Sequence, residues 1–518
     1  MRNEQQIITE LADRCALLEQ QNAELVAKLT WFEEQYRLGR AKLYGPSSEQ
    51  THPDQLNIFN EAEVEAKPSP EPTIEEITYR RQKRVGQREE KFANLPVEVI
   101  EYRLPAEEQV CSCCGGDMHE MSTEERQELK IVPAEKKVVK HVRHIYACRQ
   151  CERDNVKTPI KTAPMPAPVL PGSIASPSAI AFVMSQKYVE AMPLYRQEQY
   201  FAREGFDLSR QTMSNWIIGS TERWLSPLYE RMRVHLLKEK ILQADETTLQ
   251  VLHEPGRAAE STSYMWLYRT SRDGPPIVLY DYQTTRASKH VIKFLQGFKG
   301  YLHVDGYAGY GCVPDVTLVG CFAHARRVFK EALSALPKGA SSVVITQEGL
   351  DFCNQLFMIE RKTRDMTPKE RYDYRLLHSR PILDAFSAWL KRYAPQATPK
   401  GPLGKAISYC QNQWEKLTAF LKDGRLELDN NRAERTIKAF VIGRKNFLFS
   451  NTPRGATSSA VVYSLIETAK ENSLNPRAYL EFLFEKLPNI DLADTAAIDS
   501  LLPWSASLPA GVRVQTGS

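Results

Sequence analysis

Three stretches decide how this chain folds: Ile241-Leu-Gln-Ala-Asp-Glu-Thr-Thr, Tyr301-Leu-His-Val-Asp-Gly-Tyr-Ala-Gly-Tyr and Leu428-Asp-Asn-Asn-Arg-Ala-Glu-Arg-Thr. The first two open on short apolar runs that read as strands and lead into an acid, Asp245 and Asp305. The third reads as a helix carrying Glu434. A carboxylate at the end of a buried strand has lost hydration and needs compensation. Two such acids and a helical third form a set of hard oxygen donors, which suits two ions of Mg2+ or Mn2+. In this reading Asp245 bridges both ions, Asp305 binds one and Glu434 completes the shell of the other. Such a pair of ions supports phosphodiester cleavage, activating a water and neutralising the leaving oxygen.

Neighbouring acids compete for these roles. Glu246 follows Asp245 and, by strand alternation, faces the other side of the sheet. Asp429, ahead of Asn430 and Asn431, is placed to cap the helix of Glu434. Glu427 is a weaker rival. Gly306 lets backbone and substrate approach Asp305.

Working outward, residues 241–251, 263–269 and 276–282 read as three consecutive strands, with turns at Glu254-Pro-Gly and Arg272-Asp-Gly-Pro-Pro. A helix at 289–298, strands at 301–304 and 316–320 and a helix at 321–336 follow. Three antiparallel strands and then parallel strands with crossovers give the RNase H-like mixed sheet. The expected fold class is therefore multidomain α/β, with an RNase H-like core in two parts, 238–338 and 426–490. A helical insertion at 339–425, with helices at 347–364, 369–393 and 403–423, separates the parts. Residues 491–518, rich in Ala, Ser and Pro, read as a flexible tail.

A chain of 518 residues exceeds one compact core, so two to four domains are expected. Leu11, Leu18, Leu25 and Phe32 recur every seven residues, with Ile8, Cys15, Asn22 and Leu29 in the companion seam. Residues 1–45 thus read as a coiled coil that pairs protomers into a homodimer or higher assembly, with Asn22 fixing register. A single amphipathic helix packed on its own domain is the alternative. Residues 46–92, Pro-, Glu- and Ser-rich with a basic run at Arg80, Arg81, Lys83, Arg84 and Arg88, read as a flexible linker.

Four of the ten cysteines form two tight pairs, Cys111 with Cys114 and Cys148 with Cys151. Each two-residue gap lets both thiolates face one ion, so residues 93–165 read as a module around a structural Zn2+. Four thiolates leave no open position for catalysis. The alternating run Lys137-Val-Val-Lys-His-Val-Arg-His-Ile-Tyr is expected to pair as strands between the knuckles. Residues 170–235 read as packed helices. The second of these ends at Gly205, and the third is capped by Ser209, the order of a helix-turn-helix. Its second helix would offer Arg210, Gln211, Ser214 and Asn215 to a DNA major groove.

The formal charge is only +4, so affinity for nucleic acid must come from local clusters. Arg432, Arg435, Lys438, Arg444 and Lys445 surround Glu434 and are expected to hold a DNA backbone, unless they form a solvated helix face. His324 and Arg327, three apart on one helix turn, are placed to contact the scissile phosphate or tune a metal ligand. Cys321 with His324 also suggests metal binding, but the sequence shows no partner pair. No stretch reaches membrane-span length, and the amino terminus lacks a signal-peptide pattern, so a cytoplasmic protein without a membrane partner is expected.

The chain resembles the transposases of the insertion-sequence-66 family, a bacterial group with a DDE catalytic triad. The resemblance covers nearly the whole length. It is carried by Lys42-Leu-Tyr-Gly-Pro-Ser-Ser-Glu, the two cysteine pairs, Ala244-Asp-Glu-Thr, His303-Val-Asp-Gly-Tyr, Gly320-Cys-Phe-Ala-His-Ala-Arg-Arg, Asp429-Asn-Asn-Arg-Ala-Glu-Arg and Gly443-Arg-Lys-Asn-Phe-Leu-Phe, in that order. It implies that Asp245, Asp305 and Glu434 are the triad. It also implies binding to the element's terminal inverted repeats and to target DNA, a helical insertion before the Glu, and accessory proteins from the same element. A bacterial, nucleoid-associated location follows. Two other classes share these residues: a catalytically inactive DNA-binding regulator, and a repair or recombination nuclease with the same core.

Overall fold

The computed structural model describes residues 164–336 and 341–514, with parts of 14–36 and 136–162. The chain divides into two units, residues 1–65 with 167–514, and residues 66–166 with 515–518. The two cysteine pairs, expected to hold Zn2+, and residues 46–92, expected to form a linker, lie outside the described residues. In the second unit, Ile145–Ala147 pairs antiparallel with Ile160–Thr162. The strand expected over 137–146 is therefore shorter: residues 136–142 are irregular, and Val138, Val139 and Val142 are exposed among the described residues. In the first unit, the described positions between 14 and 36 are helical, with Leu18, Leu25 and Leu29 exposed.

Between residues 164 and 240, four α-helices lead into the sheet: α1 (Pro177–Tyr188), α2 (Leu194–Arg203), α3 (Arg210–Ser220) and α4 (Ser226–Leu236). Ser176 caps α1 through the Ala179 amide, and Ser209 caps α3 through the Thr212 amide at 3.1 Å. Gly205 leaves α2 with φ +77°, a left-handed exit that side chains disfavour. Ile180, Met184, Met213, Trp216 and Leu228 bury the facing sides of these helices.

Five strands follow in one mixed sheet: β1 (Ile241–Gln250), β2 (Thr262–Thr270), β3 (Val278–Gln283), β4 (Gly300–Val304) and β5 (Val316–Gly320). The spatial order is β3-β2-β1-β4-β5. The pairs β1–β2 and β2–β3 are antiparallel, and β1–β4 and β4–β5 are parallel. Helix α5 (Ser288–Phe294) links β3 to β4 and is shorter than expected, giving way to a turn in which Gly297 takes φ +89°. Helix α6 (Phe322–Ala335) leaves β5.

Three helices then intervene: α7 (Ser341–Lys362), α8 (Pro368–Tyr393) and α9 (Pro402–Thr418). A capping box of Thr367 and Glu370 starts α8. Phe329 of α6 packs with Phe386 and Trp389 of α8, so these helices share a second apolar core with β5. Buried Arg375 pairs with Glu360 and donates to the carbonyls of Phe420 and Leu426, which pins the chain on its way back to the sheet.

Helices α10 (Asn431–Phe447), α11 (Pro453–Glu471) and α12 (Pro476–Lys486) complete the unit. Strand β3 is a sheet edge with open backbone groups, and α11 closes it. The amides of Val278 and Tyr280 donate to Thr468 Oγ1 and Ser464 Oγ, and Thr468 returns a bond to the Val278 carbonyl at 2.9 Å.

The flexible tail expected for 491–518 is corrected over its described part. Helix α13 (Thr495–Asp499) packs on α4, and Leu501, Leu502, Leu508 and Val512 are buried in the main core. Asp499 accepts from Arg231 at 2.5 Å and lies 3.2 Å from His235 Nε2. The Ala, Ser and Pro content hid four apolar residues, two of them adjacent, that find the core only in three dimensions. No described helix is long and apolar enough to cross a membrane.

Candidate active site

The parallel register of β1 and β4 brings two acids together. The last paired positions are Gln243 and His303. Two residues further along each chain stand Asp245 and Asp305, and the Asp305 charge acts on the Asp245 carboxyl. Asp245 Oδ1 accepts from the Glu246 amide, and Asp305 Oδ1 from the Tyr307 amide, each at 2.8 Å.

Glu434 joins from the first turn of α10. The helix start is fixed to both β1 and α6. Buried Asn430 donates from Nδ2 to the Ala244 carbonyl at 2.8 Å, next to Asp245, and its amide donates to Cys321 Sγ at 3.2 Å. The Phe322 amide donates to the Leu428 carbonyl at 3.1 Å. One turn on, the buried Arg269 guanidinium of β2 donates to Thr436 and pairs with Glu471 of α11.

The acids feel one another. Burial first, then the charge of Glu246, then Glu434 and Asp305, push the Asp245 carboxyl up to about 8, against the Glu246 amide, which favours the charged form. A divalent cation would relieve these contributions together, so the donor set fits such an ion. Among the described residues, however, the only group of three potential ligands with all donor atoms within 4.8 Å of one another is Cys321, His324 and Glu434. Two ions about 3.5–4 Å apart place their outer carboxylates on opposite sides, so Asp305 and Glu434 need not touch.

The rival acids are engaged elsewhere. Glu246 pairs across the sheet with Trp266 rather than Leu267, hence faces the opposite side from Asp245, and accepts from Arg286 and Tyr310. Arg286 also lies 4.0 Å from Asp305 and stacks 3.9 Å over the Tyr307 ring. Asp429 is raised to about 6 by burial and holds the Asn431 amide at 3.0 Å, while Asn430 takes the cap position itself. The Glu427 amide donates to His303 Nε2 at 3.3 Å, and its carboxylate accepts from Gln243.

His324 and Arg327 both meet Glu434, His324 Nδ1 at 3.6 Å from Oε1 and Arg327 Nη2 at 3.4 Å from Oε2. The partner that the sequence did not supply for Cys321 and His324 is thus Glu434, more than a hundred residues away. Arg435, Lys438 and Lys445 are exposed on α10. Arg432 instead lies 3.8 Å from both Glu427 and Glu471. Arg444, expected on DNA, turns inward and donates to the Thr248 carbonyl and hydroxyl. On α3, Gln211 and Asn215 are exposed and Ser214 half-buried, with Gln211 donating to Asn215 at 3.1 Å. The Arg210 amide is held by Glu198 at 2.9 Å, and its guanidinium lies over Tyr195.

Sequence reasoning missed Tyr409, whose ring lies 3.2 Å from where a Cβ on Gly306 would stand. Gly306 therefore makes room for α9 of the insertion beside Asp305. Tyr409 and Arg286 carry no local signal, because their partners are remote in sequence.

A mixed sheet bearing these acids, preceded by a cysteine module, is matched by models of one class, the transposases. The transposase IS66 family model covers residues 172–458, more than half of the chain. The zinc-finger binding domain of transposase IS66 matches 108–152, which contains all four paired cysteines and supports a structural Zn2+. The IS66 C-terminal element matches 464–504, and a model described as transposase C of IS166 homeodomain matches 31–100. The chain belongs to the transposase IS66 family. Three proteins of Sinorhizobium fredii (strain NBRC 101917 / NGR234) are similar over most of their length. Uncharacterized protein y4jD is 32% identical over 78% of this chain and 79% of its own, and y4qI is 30% identical over 79% and 75%. Uncharacterized protein y4hP is 29% identical over 76% of this chain and 73% of its own.

Proposed function

We propose that the chain is a DNA transposase that cuts and joins strands at an RNase H-like site formed by Asp245, Asp305 and Glu434. The observation that supports this reading is that the charges of Glu434 and Asp305 both act on the buried Asp245 carboxyl, with the β1–β4 pairing ending two residues before each Asp. The strand order β3-β2-β1-β4-β5, antiparallel on one side and parallel on the other, supports the RNase H-like assignment. When bound, two Mg2+ or Mn2+ ions would supply an activated nucleophile and neutralise the leaving oxygen.

The chain's own residues do the rest. Asp245, whose carboxyl burial raises to about 8, would hold the cations in its charged form. Asn430 keeps α10 against the end of β1, so that Glu434 keeps its place relative to Asp245. Arg327 orients the Glu434 carboxylate from the solvent side and, half exposed, is free to turn toward a phosphate. Water first serves as the nucleophile on the DNA strand at the element end. The freed 3′-hydroxyl then attacks the target strand by the same in-line displacement.

Exposed Arg435, Lys438 and Lys445 would track phosphates, and Gln211, Ser214 and Asn215 of α3 would read the terminal inverted repeats. The amino-terminal heptads would pair protomers, and accessory proteins of the same element would join the assembly. The test is Mn2+-dependent nicking and strand transfer on DNA bearing the element ends. Activity lost in Asp245→Asn and Asp305→Asn, with end binding retained, supports the reading. Retained cleavage in both variants refutes the site, and cleavage of branched DNA without joining would make the chain a repair nuclease.

A further inference from the structure

We infer that the ion at Glu434 also takes an imidazole nitrogen, His324 Nδ1, making this half of the site a mixed nitrogen–oxygen centre that favours Mn2+ over Mg2+. The inference rests on the proposed three-acid site and specifies one half of it. Glu434 Oε1 faces His324 Nδ1 at 3.6 Å and Cys321 Sγ at 3.8 Å, while Oε2 faces Arg327 at 3.4 Å. The carboxylate is thus held with one oxygen turned to the imidazole.

The His324 Nδ1 atom is shielded from solvent and has no hydrogen-bond partner among the described residues. At 3.6 Å the Nδ1–Oε1 gap is too long for a hydrogen bond. It suits an ion between the two atoms. Ligand atoms about 2.1 Å from one centre lie about 3.0 Å apart at a right angle and about 3.6 Å apart at 120°. A second, independent feature lies beside it. Asn430 is 1% exposed, its Oδ1 is buried without a partner, and its amide binds Cys321 Sγ.

Cys321 is the competing ligand, and two contacts argue for a positioning role. Its sulfur already accepts from the Asn430 amide at 3.2 Å, and its thiol donates toward Glu434 Oε1. The His324 Nδ1 atom, by contrast, has no hydrogen-bond partner of its own among the described residues. Mg2+ demands hard oxygen ligands, while Mn2+ accepts imidazole, so a nitrogen donor at this position tilts the preference.

The test uses the full chain without a histidine tag, with its zinc retained, loaded with Mn2+ alone and read by pulsed electron paramagnetic resonance. Nitrogen modulation from one directly bound imidazole is expected, absent in His324→Gln and present in Cys321→Ser. Loss of outer-shell groups costs metal sites 10–100-fold, so His324→Gln is expected to weaken Mn2+ binding at least about tenfold. Mg2+ binding should change less, so the Mn2+-to-Mg2+ affinity ratio falls. Mn2+ bound equally by wild type and His324→Gln with an oxygen-only spectrum would overturn the inference and leave the three-acid site standing. A sulfur charge-transfer band on Co2+ substitution, lost in Cys321→Ser, would also overturn it. Failure of the wild type to bind Mn2+ at all would remove the three-acid site and this inference with it.

Discussion

Replacing Asp245 by Asn is expected to abolish cleavage and yet stabilise the metal-free protein at alkaline pH. The folded chain holds this carboxyl at about 8, chiefly by burial and secondarily by Glu246, Glu434 and Asp305. In the unfolded chain it titrates near about 3.9. For an acid whose folded value is raised, the stability it contributes is full below the unfolded value and is lost as pH rises through the folded one. Between about pH 4 and pH 8 each pH unit removes at most about 1.4 kcal/mol, a ceiling of roughly 5 kcal/mol at pH 8. Relaxation and water entry reduce this, so Asp245→Asn should gain roughly 2–4 kcal/mol at pH 8 and nothing at pH 4. Asn keeps an oxygen to accept the Glu246 amide, so no donor is orphaned. Thermal melts of both proteins, free of Mg2+ and Mn2+ but with zinc retained, should separate by several degrees at pH 8 and coincide at pH 4. A destabilised variant at pH 8, or the same gap at both pH values, would refute the reasoning.

Arg269→Met should destabilise the protein by roughly 3 kcal/mol in chemical denaturation, because it leaves Glu471 only the longer pairing with Arg432 and frees Thr436 of α10. Gly424→Ala places a Cβ 1.7 Å from the Pro368 carbonyl oxygen, so the α8 start must move; a loss of roughly 1–3 kcal/mol is expected by the same assay. Truncation before Thr495 removes Leu501, Leu502, Leu508 and Val512 from the core and Asp499 from Arg231. It should lower the melting temperature by several degrees, where loss of a loose tail would leave it unchanged.

The sheet was legible because its strands are apolar runs bounded by Gly and Pro turns, and their ends fall within a few residues of those expected. The register that pairs Gln243 with His303, two residues before Asp245 and Asp305, was not, since pairing between strands sixty residues apart leaves no local trace. The same holds for Arg444. Its basic neighbourhood suggested DNA, but its guanidinium fills the space beside Thr247 and Thr248 and donates to the strand that carries Asp245. Cys321 and His324 announced a ligand pair at helical spacing. Only the return of α10 through the insertion supplied Glu434 as the third member. In the tail, low apolar density masked a few residues that each reach the core.

The central claim is that Asp245, Asp305 and Glu434 together hold a pair of divalent ions, and anomalous diffraction at the manganese edge from crystals grown with Mn2+ and end DNA tests it most directly. Two peaks about 3.5–4 Å apart are expected, with Asp245 between them, Asp305 on one and Glu434 on the other. Peaks that leave Asp245 uncoordinated, or no peak near these three side chains, would contradict it.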